Sequence, residues 1–237
     1  ADHLAELVAS HKTLAITGTS GKSTVTAMVF EILAASSRSP SLITGGALRR
    51  LEDEGLLGNA ARGDSDLLVI EADESDGSVV RYKPWLGALL NVGKDHKEIP
   101  VLMEMFRTFR SLSKRFVVNG DPPAFAEFRE SSRTFGFGAG CAVRAAGQEL
   151  PPGRVRLSID GVPFDLPLDG RHNAENALAA AAICLEAGVS LEESASALKG
   201  YRGIVRRFER LGTADGVMVV DDFAHNPDKV RAVLAAA

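Results

Sequence analysis

Continuous apolar runs alternate with helix-like stretches along the first half of the chain. The runs that predict buried strands are 13–17, 66–73, 86–93 and 115–120, and "SPSLIT" begins a further extended segment. Apolar residues at helical spacing predict helices over 22–35 and 98–112. Strands that alternate with helices indicate a parallel sheet, and strands without polar alternation fit a sheet covered on both faces. The pattern therefore predicts an α/β fold with a mostly parallel sheet flanked by helices.

The pattern changes between about 132 and 168, where glycine and proline separate short strand-like pieces. One piece, "SIDGVPF", contains Asp-Gly, which is a strong signal for a β-hairpin. We therefore expect a small antiparallel β-rich insertion here. An alanine-rich helix over 173–187 and a short helix over 191–199 follow it.

The end of the chain predicts a second unit. We expect residues 1–204 to form one central domain, and "GYRGIVRRF" indicates a linker after it. Residues 205–237 then contain the end of this linker, a strand pair and a helix that starts near Pro227, which together begin a second α/β domain. About thirty residues cannot bury a core of their own. We therefore expect this second domain to be truncated.

Composition and charge exclude several classes of protein. The chain has 237 residues, of which 45% are hydrophobic and 24% charged, as is ordinary for a soluble globular protein. The net charge of -4 gives no basic surplus for nucleic acid, and no basic amphipathic segment predicts a membrane surface. Cys141 and Cys184 are the only cysteines, too few for a disulfide framework or a zinc site. A reducing, cytoplasmic location fits them best.

A glycine-rich stretch, "GTSGKST", follows the first predicted strand. Gly18 and Gly21 allow a turn whose N–H groups point inward and, with the start of the next helix, surround a phosphate. Lys22 would add a positive charge, and Ser23 would offer a hydroxyl to Mg²⁺. Ile16 stands where the full P-loop pattern has its first glycine, so an ordinary strand–helix turn is the alternative. The agreement of strand, turn, Lys-Ser and helix favours a P-loop.

Acidic and polar side chains follow two further predicted strands. Glu71 is the first acid after a buried strand, and its oxygens suit Mg²⁺. Ligands bind at the carboxyl ends of parallel strands. Asp73, Glu74 and Asp76 could equally form a solvated acidic loop. His96 follows the next strand and could reach the same edge, but Mg²⁺ prefers oxygen, so a surface histidine is an equal alternative.

Four polar residues in the second half of the chain are further candidates. Asn173 is a good N-cap for the alanine-rich helix, and Asn176 lies one turn further along the same face. This pair could bind the edge of adenine, or it could serve capping and solvation alone. Arg207 could balance phosphate charge and Asp222 could accept a ribose hydroxyl, although each could also be a surface charge.

Taken in order, six stretches resemble the motifs of the Mur ligase family, the ATP-dependent amide ligases of peptidoglycan precursor synthesis. The stretches are "GTSGKST", "EADESD", "NVGKDH", "GRHNAENALAAA", "RRFE" and "DDFAHNP". Their order and approximate spacing match the family from about residue 12 to the end of the chain. The ordered set is far more specific than any single stretch.

The resemblance implies that ATP and Mg²⁺ are the cofactors. It implies nucleotide contacts by the glycine-rich turn and four later residues: Gly18, Thr19, Ser20, Gly21, Lys22, Ser23, Thr24, Asn173, Asn176, Arg207 and Asp222. Lys22 would bind the β/γ-phosphates and Arg207 the γ-phosphate. Asn173 and Asn176 would face adenine, and Asp222 the ribose.

The resemblance also implies a metal site and a set of catalytic residues. Ser23, Glu71 and His96 would hold Mg²⁺. The catalytic groups would be Lys22, Glu71, His96 and Arg207. "DHKE" stands where D-H-M-D is more usual, and "DGS" stands where D-A-S is expected, so the substrate is left open by these motifs.

"EADESDGS" is most similar to the alanine-adding branch of the family. Sibling ligases carry a carbamylated lysine in the helix after the D-H motif, where this chain has Phe106. The resemblance implies an ADP-forming ligase that joins an amino acid, here L-alanine, to UDP-N-acetylmuramate through an acyl phosphate. A ligase that attaches a peptide in cell-wall recycling and a noncatalytic nucleotide-binding module are the alternatives.

The implied partners are a UDP-sugar and an amino acid or peptide, with no nucleic acid and no membrane. Ligases of this family have three domains, and the N-terminal UDP-binding domain has no counterpart in this sequence. We therefore expect that a protein consisting of this sequence alone cannot complete the reaction.

Overall fold

The structure is a computed structural model, and it describes residues 2–93 and 97–236. Ten strands in this part of the chain form one sheet. They are β1 (Lys12–Thr17), β2 (Ser41–Ile43), β3 (Ala60–Ala61), β4 (Leu67–Glu71), β5 (Leu86–Leu89), β6 (Arg115–Asn119), β7 (Arg133–Gly136), β8 (Val143–Glu149), β9 (Val155–Ile159) and β10 (Val162–Leu166). Their spatial order is β10-β9-β8-β7-β6-β5-β1-β4-β2-β3.

Helices flank this sheet, and a small second unit follows it. The helices before the second unit are α1 (Asp2–Ser10), α2 (Lys22–Ala35), α3 (Arg49–Asp53), α4 (Ile99–Leu112), α5 (Arg171–Glu186) and α6 (Leu191–Leu198). The second unit consists of the antiparallel pair β11 (Glu209–Ala214) and β12 (Val217–Asp221) and of α7 (Pro227–Ala236), as the sequence predicts. No helix in the described ranges is long and apolar enough to span a membrane.

The centre of the sheet is parallel. β1 lies between β4 and β5 and runs parallel to both, and β2, β6 and β7 continue in the same direction. Leu14 and Ile16 pack on one face with residues of α2 and α5, whereas Ala15 packs on the other face with residues of α4. The predicted mostly parallel sheet with helices on both faces is confirmed.

The region predicted as an antiparallel insertion contains the strands β7 to β10. β8, β9 and β10 pair antiparallel, and Asp160 (φ 46°) and Gly161 (φ 88°) form the predicted hairpin turn. β7, however, pairs parallel with both β6 and β8. Backbone hydrogen bonds therefore make the region an extension of the main sheet rather than a separate sheet.

The alanine-rich helix begins two residues earlier than predicted. Gly170 (φ 85°) is the residue before the first helical position, and α5 starts at Arg171. Asn173 is therefore inside the first turn, and the prediction that it is the N-cap is wrong. Its side chain bonds backward instead, because its Nδ2 donates to the carbonyl of Asp169 at 2.8 Å.

Candidate nucleotide-binding site

The glycine-rich turn joins β1 to α2, and its backbone requires glycine at two positions. Gly18 has φ 138° and Gly21 has φ 82°, which are values that other residues rarely adopt. A Cβ atom at Gly18 would lie 3.1 Å from the backbone nitrogen and oxygen of Asn91. A Cβ atom at Gly21 would lie 2.5 Å from Oδ1 of Asn176. The turn therefore has a closely packed backbone that only glycine allows at these two positions, as suits a phosphate cradle.

Asn91, just after the end of β5, holds the turn in place. Its Oδ1 accepts hydrogen bonds from the hydroxyl of Thr19 at 3.0 Å and the backbone N–H of Ser20 at 2.9 Å. Its Nδ2 donates to the carbonyl of Ser20 at 2.9 Å. Because β5 pairs directly with β1, one amide side chain reaches three groups of the turn. The sequence alone did not single out this role.

We expect Asn91→Ala to weaken ADP binding by about tenfold or more, because three hydrogen bonds that shape the turn are lost, each worth about 0.5–1.5 kcal/mol. Calorimetric titration of ADP into the full-length protein measures the change. Asn59→Ala is the comparison, since Asn59 is an exposed asparagine that does not line the cleft. Equal losses in the two variants would contradict a specific role for Asn91.

Lys22 is the first residue of α2, and its ammonium group is largely buried. Its Nζ donates to the carbonyl of Gly18 and to Oε2 of Glu74, both at 2.9 Å, and lies 3.5 Å from Asp73. Burial alone would lower the pKa of Lys22, but the negative charges of Glu74, Asp73 and Glu71 outweigh it and raise the pKa. Lys22 therefore carries a positive charge at the base of the turn.

Glu71 ends β4, next to the glycine-rich turn. Its Oε2 accepts hydrogen bonds from the hydroxyl of Thr44 at 3.0 Å and from the N–H of Gly45 at 2.8 Å, so its carboxylate has a fixed orientation. Ser23 lines the same cleft as Glu71. A hydroxyl and a carboxylate fit the oxygen preference of Mg²⁺.

The third predicted metal ligand, His96, lies outside the described residues. Within residues 2–93 and 97–236, no three His, Cys, Asp or Glu side chains form a group that could hold a metal ion. The assignment of Ser23, Glu71 and His96 to a Mg²⁺ site therefore stays a prediction.

Two asparagines of α5 connect that helix to the turn. Asn176 donates from Nδ2 to Oδ1 of Asn173 at 3.1 Å, and its own Oδ1 faces Gly21. Asn173 is buried, with 6% of its surface exposed. The two side chains therefore form one linked pair beside the start of α2.

Arg207 and Asp222 come from the unit that follows residue 204. Asp222 accepts from the N–H groups of Phe208 and Ala224, each at 2.7 Å, which fixes its carboxylate. The guanidinium of Arg207 lies 5.3 Å from the ring centre of Phe223. The Arg210–Asp169 ion pair, at 2.6 Å, ties this unit to the segment before α5.

These groups converge on one cleft with a volume of about 350 Å³. The predicted residues that line it are Thr19, Ser20, Gly21, Lys22, Ser23, Thr24, Glu71, Asn173, Asn176, Arg207 and Asp222. Gly18 lies against Asn91 at the start of the turn. The structure therefore brings together every predicted site residue that it describes, and the volume falls within the range of small-molecule sites.

The cleft also contains residues that the sequence did not single out. Phe135, Leu168 and Ala179 supply apolar surface to it. His172, just before the asparagine pair, is largely enclosed, and burial lowers its pKa although Asp222, Glu175 and Asp169 act in the opposite direction. An apolar wall beside amides and a phosphate cradle suits a nucleotide, which has a flat base at one end and charge at the other.

Comparison with known proteins identifies the family. The sequence model of the Mur ligase middle domain matches residues 16–184, and that of the Mur ligase, glutamate ligase domain matches residues 206–237. UDP-N-acetylmuramate–L-alanine ligases of Arthrobacter sp. (strain FB24) and Aquifex aeolicus (strain VF5) are 37% and 35% identical to the chain. The matches include 99% and 98% of this chain but 52% and 53% of those relatives. The chain thus spans about half the length of the curated relatives it matches.

Solved structures agree with the sequence comparison. The UDP-N-acetylmuramate–alanine ligase of Thermotoga maritima superposes with a TM-score of 0.86 at 26% identity. The superposition includes 99% of this chain and 55% of the Thermotoga chain. A MurF ligase of the same organism, solved in complex with ADP, shares the fold with a TM-score of 0.76 at 20% identity. This superposition includes 99% of this chain and 60% of the MurF chain. The chain belongs to the Mur ligase family.

Proposed function

We propose that the full-length protein is an ATP-dependent, ADP-forming ligase that joins L-alanine to UDP-N-acetylmuramate. The observation that carries this proposal is the convergence of Lys22, Glu71, the asparagine pair, Arg207 and Asp222 on one cleft. Relatives at 33–38% identity that are named for this activity support the choice of substrate.

ATP would lie with its phosphates in the glycine-rich turn. The N–H groups of the turn and the start of α2 would bind the β-phosphate, and Lys22 would bridge the β- and γ-phosphates. Ser23 and Glu71, together with His96, would hold Mg²⁺, which supplies charge neutralisation at the transferring phosphoryl group. Asn173 and Asn176 would place adenine against the apolar wall.

The reaction would proceed in two steps. A carboxylate oxygen of UDP-N-acetylmuramate attacks the γ-phosphorus, so that an acyl phosphate forms and ADP leaves. The amine of L-alanine then attacks the acyl carbon, and phosphate leaves from the tetrahedral intermediate to give the amide. Lys22 and Arg207 contribute by positioning and by stabilising charge as it moves between oxygens.

The cleft would be completed by closure of two domains. We place the boundary after residue 204, with a central ATP-binding domain before it and the beginning of a C-terminal domain after it. Lys22 and Glu71 belong to the first part, whereas Arg207 and Asp222 belong to the second. Movement between the parts would adjust the position of Arg207 relative to the γ-phosphate during the reaction. The free thiols Cys141 and Cys184 fit a cytoplasmic reaction.

To test this proposal, the full-length protein is incubated with ATP, UDP-N-acetylmuramate and one amino acid at a time, and the ADP formed is measured. We expect ADP formation to require L-alanine. Turnover with an L-alanyl-γ-D-glutamyl-meso-diaminopimelate tripeptide instead of L-alanine would indicate the recycling alternative. Binding of ATP without turnover for any acceptor would indicate a noncatalytic nucleotide-binding module.

A further inference from the structure

Glu74 is a buried carboxylate that the proposed reaction does not use. Only 4% of its side chain is exposed, and its Oε2 lies 2.9 Å from Nζ of Lys22. Burial raises the pKa of Glu74, while the charge of Lys22 acts in the opposite direction. The pair therefore places a negative charge directly beside the lysine that is proposed to bind phosphate.

The neighbouring acids have a different task, because they shape the loop after β4. Asp73 accepts from the N–H of Ser75 at 3.0 Å, and Asp76 accepts from the N–H of Ser78 at 2.8 Å. Both bonds span two residues and fix local turns. Glu74, between them, extends inward to Lys22 instead. The Glu74 side chain thus contacts the lysine of the glycine-rich turn at the closest distance of the three acids.

The contacts of Lys22 show how a carboxylate and a phosphate can share it. An ammonium group has three N–H donors. Two of them point to acceptors in the protein, the Gly18 carbonyl and Glu74. The carboxylate of the half-exposed Asp73 lies further from Nζ, at 3.5 Å, so a third N–H can meet a phosphate oxygen. That oxygen then lies near the negative charge of Glu74, in a site where solvent screens little.

We propose that Glu74 shares the ammonium group of Lys22 with the β-phosphate and thereby limits the affinity of the glycine-rich turn for ADP, so that the product can leave. This inference rests on the proposed function, because it takes the turn to be a nucleotide site. Glu74 is a positioning residue in this scheme: it orients the lysine through one hydrogen bond and weakens phosphate binding through its charge.

Glu74→Gln separates these two effects. The amide oxygen of glutamine can still accept from Lys22, whereas the negative charge is gone. We expect calorimetric titration of the full-length variant, at fixed Mg²⁺ and ionic strength, to give a dissociation constant for ADP about tenfold lower than that of the wild-type protein. The dissociation constant for AMP, which has no β-phosphate, should change less than about twofold.

Asp73→Asn is the matched control. It removes the same charge from the same loop, but the Asp73 side chain is 49% exposed and its carboxylate lies 3.5 Å from Nζ. We expect its effect on ADP binding to be below about twofold, since solvent screens exposed charges. If ADP binding tightens equally in Glu74→Gln and Asp73→Asn, the effect comes from the overall negative charge of the loop, and the proposal is overturned. Unchanged or weaker ADP binding by folded Glu74→Gln would also overturn it.

If the glutamine variant does not fold, Glu74→Asp is a second variant that tests the same proposal. Aspartate keeps the charge but shortens the side chain by one methylene, which moves the carboxylate away from Nζ, so ADP binding should tighten in the same direction by a smaller factor. Unchanged ADP binding by this variant would overturn the proposal. A wild-type protein that does not bind ADP would remove both the inference and the proposed function, whereas normal wild-type binding with no change in the variants would remove the inference alone.

Discussion

Lys22→Ala is expected to lower the rate of ADP formation by the full-length protein by about 10²–10³-fold, the usual cost of removing one group that stabilises charge in a transition state. The ammonium group lies at the base of the glycine-rich turn, with 12% of the side chain exposed, and the Gly18 carbonyl and Glu74 hold it there. Alanine cannot replace this fixed charge. A coupled assay of ADP release with UDP-N-acetylmuramate and L-alanine measures the loss.

Lys12→Ala is the control for this variant. Lys12 begins the same strand, β1, at the end opposite the turn, and its Nζ lies 4.2 Å from the ring centre of Trp85. Removing it takes one lysine from the chain without touching the cleft, so we expect ADP formation near the wild-type rate. Unchanged ADP formation by a folded Lys22→Ala protein would refute the role assigned to Lys22.

Phe106→Ala is expected to lower the free energy of unfolding by about 3–5 kcal/mol. Phe106 lies in α4, is 0% exposed, and packs in the cluster on the α4 face of the sheet. The substitution removes a ring from a close-packed region and leaves a cavity. The urea midpoint of the chain, followed by circular dichroism, measures the change.

Val101→Ala, on the same helix, is the control for this stability change. Val101 is 51% exposed, so we expect an effect within about 0.5 kcal/mol. A similar small effect for Phe106→Ala would show that the cluster relaxes around the missing ring. The position of Phe106 thus serves apolar packing in this chain.

The sequence predicted the long elements of the central sheet well, because each has a strong local signal. β1 is a run of buried apolar residues, and α2 begins at the Gly21–Lys22 junction as expected. The short elements were not predicted, since α3 (Arg49–Asp53) spans barely more than one turn and β3 (Ala60–Ala61) has two residues. Segments of this length are too short for a hydrophobic period to be detected.

The individual site residues were predicted from motifs, but two of their supporting contacts were not. Asn91 contacts the glycine-rich turn because β5 pairs with β1, although β2, β3 and β4 lie between them in the sequence. Glu74 was not distinguishable from Asp73 and Asp76, because the direction of each side chain depends on the turns of the loop. Strand order and loop conformation are tertiary properties, and neither is encoded in the spacing of a motif.

The contact between Gly21 and Asn176 has a consequence for how the chain can vary. These residues stand at the phosphate end and the base end of the proposed ligand, and the strands β2 to β10 lie between them in the sequence. Because α2 and α5 touch directly at this point, the distance from base to phosphate does not depend on the length of the chain segment between these two helices. Insertions or deletions in the hairpins of β8 to β10 can therefore accumulate at the far edge of the sheet while the same nucleotide still fits.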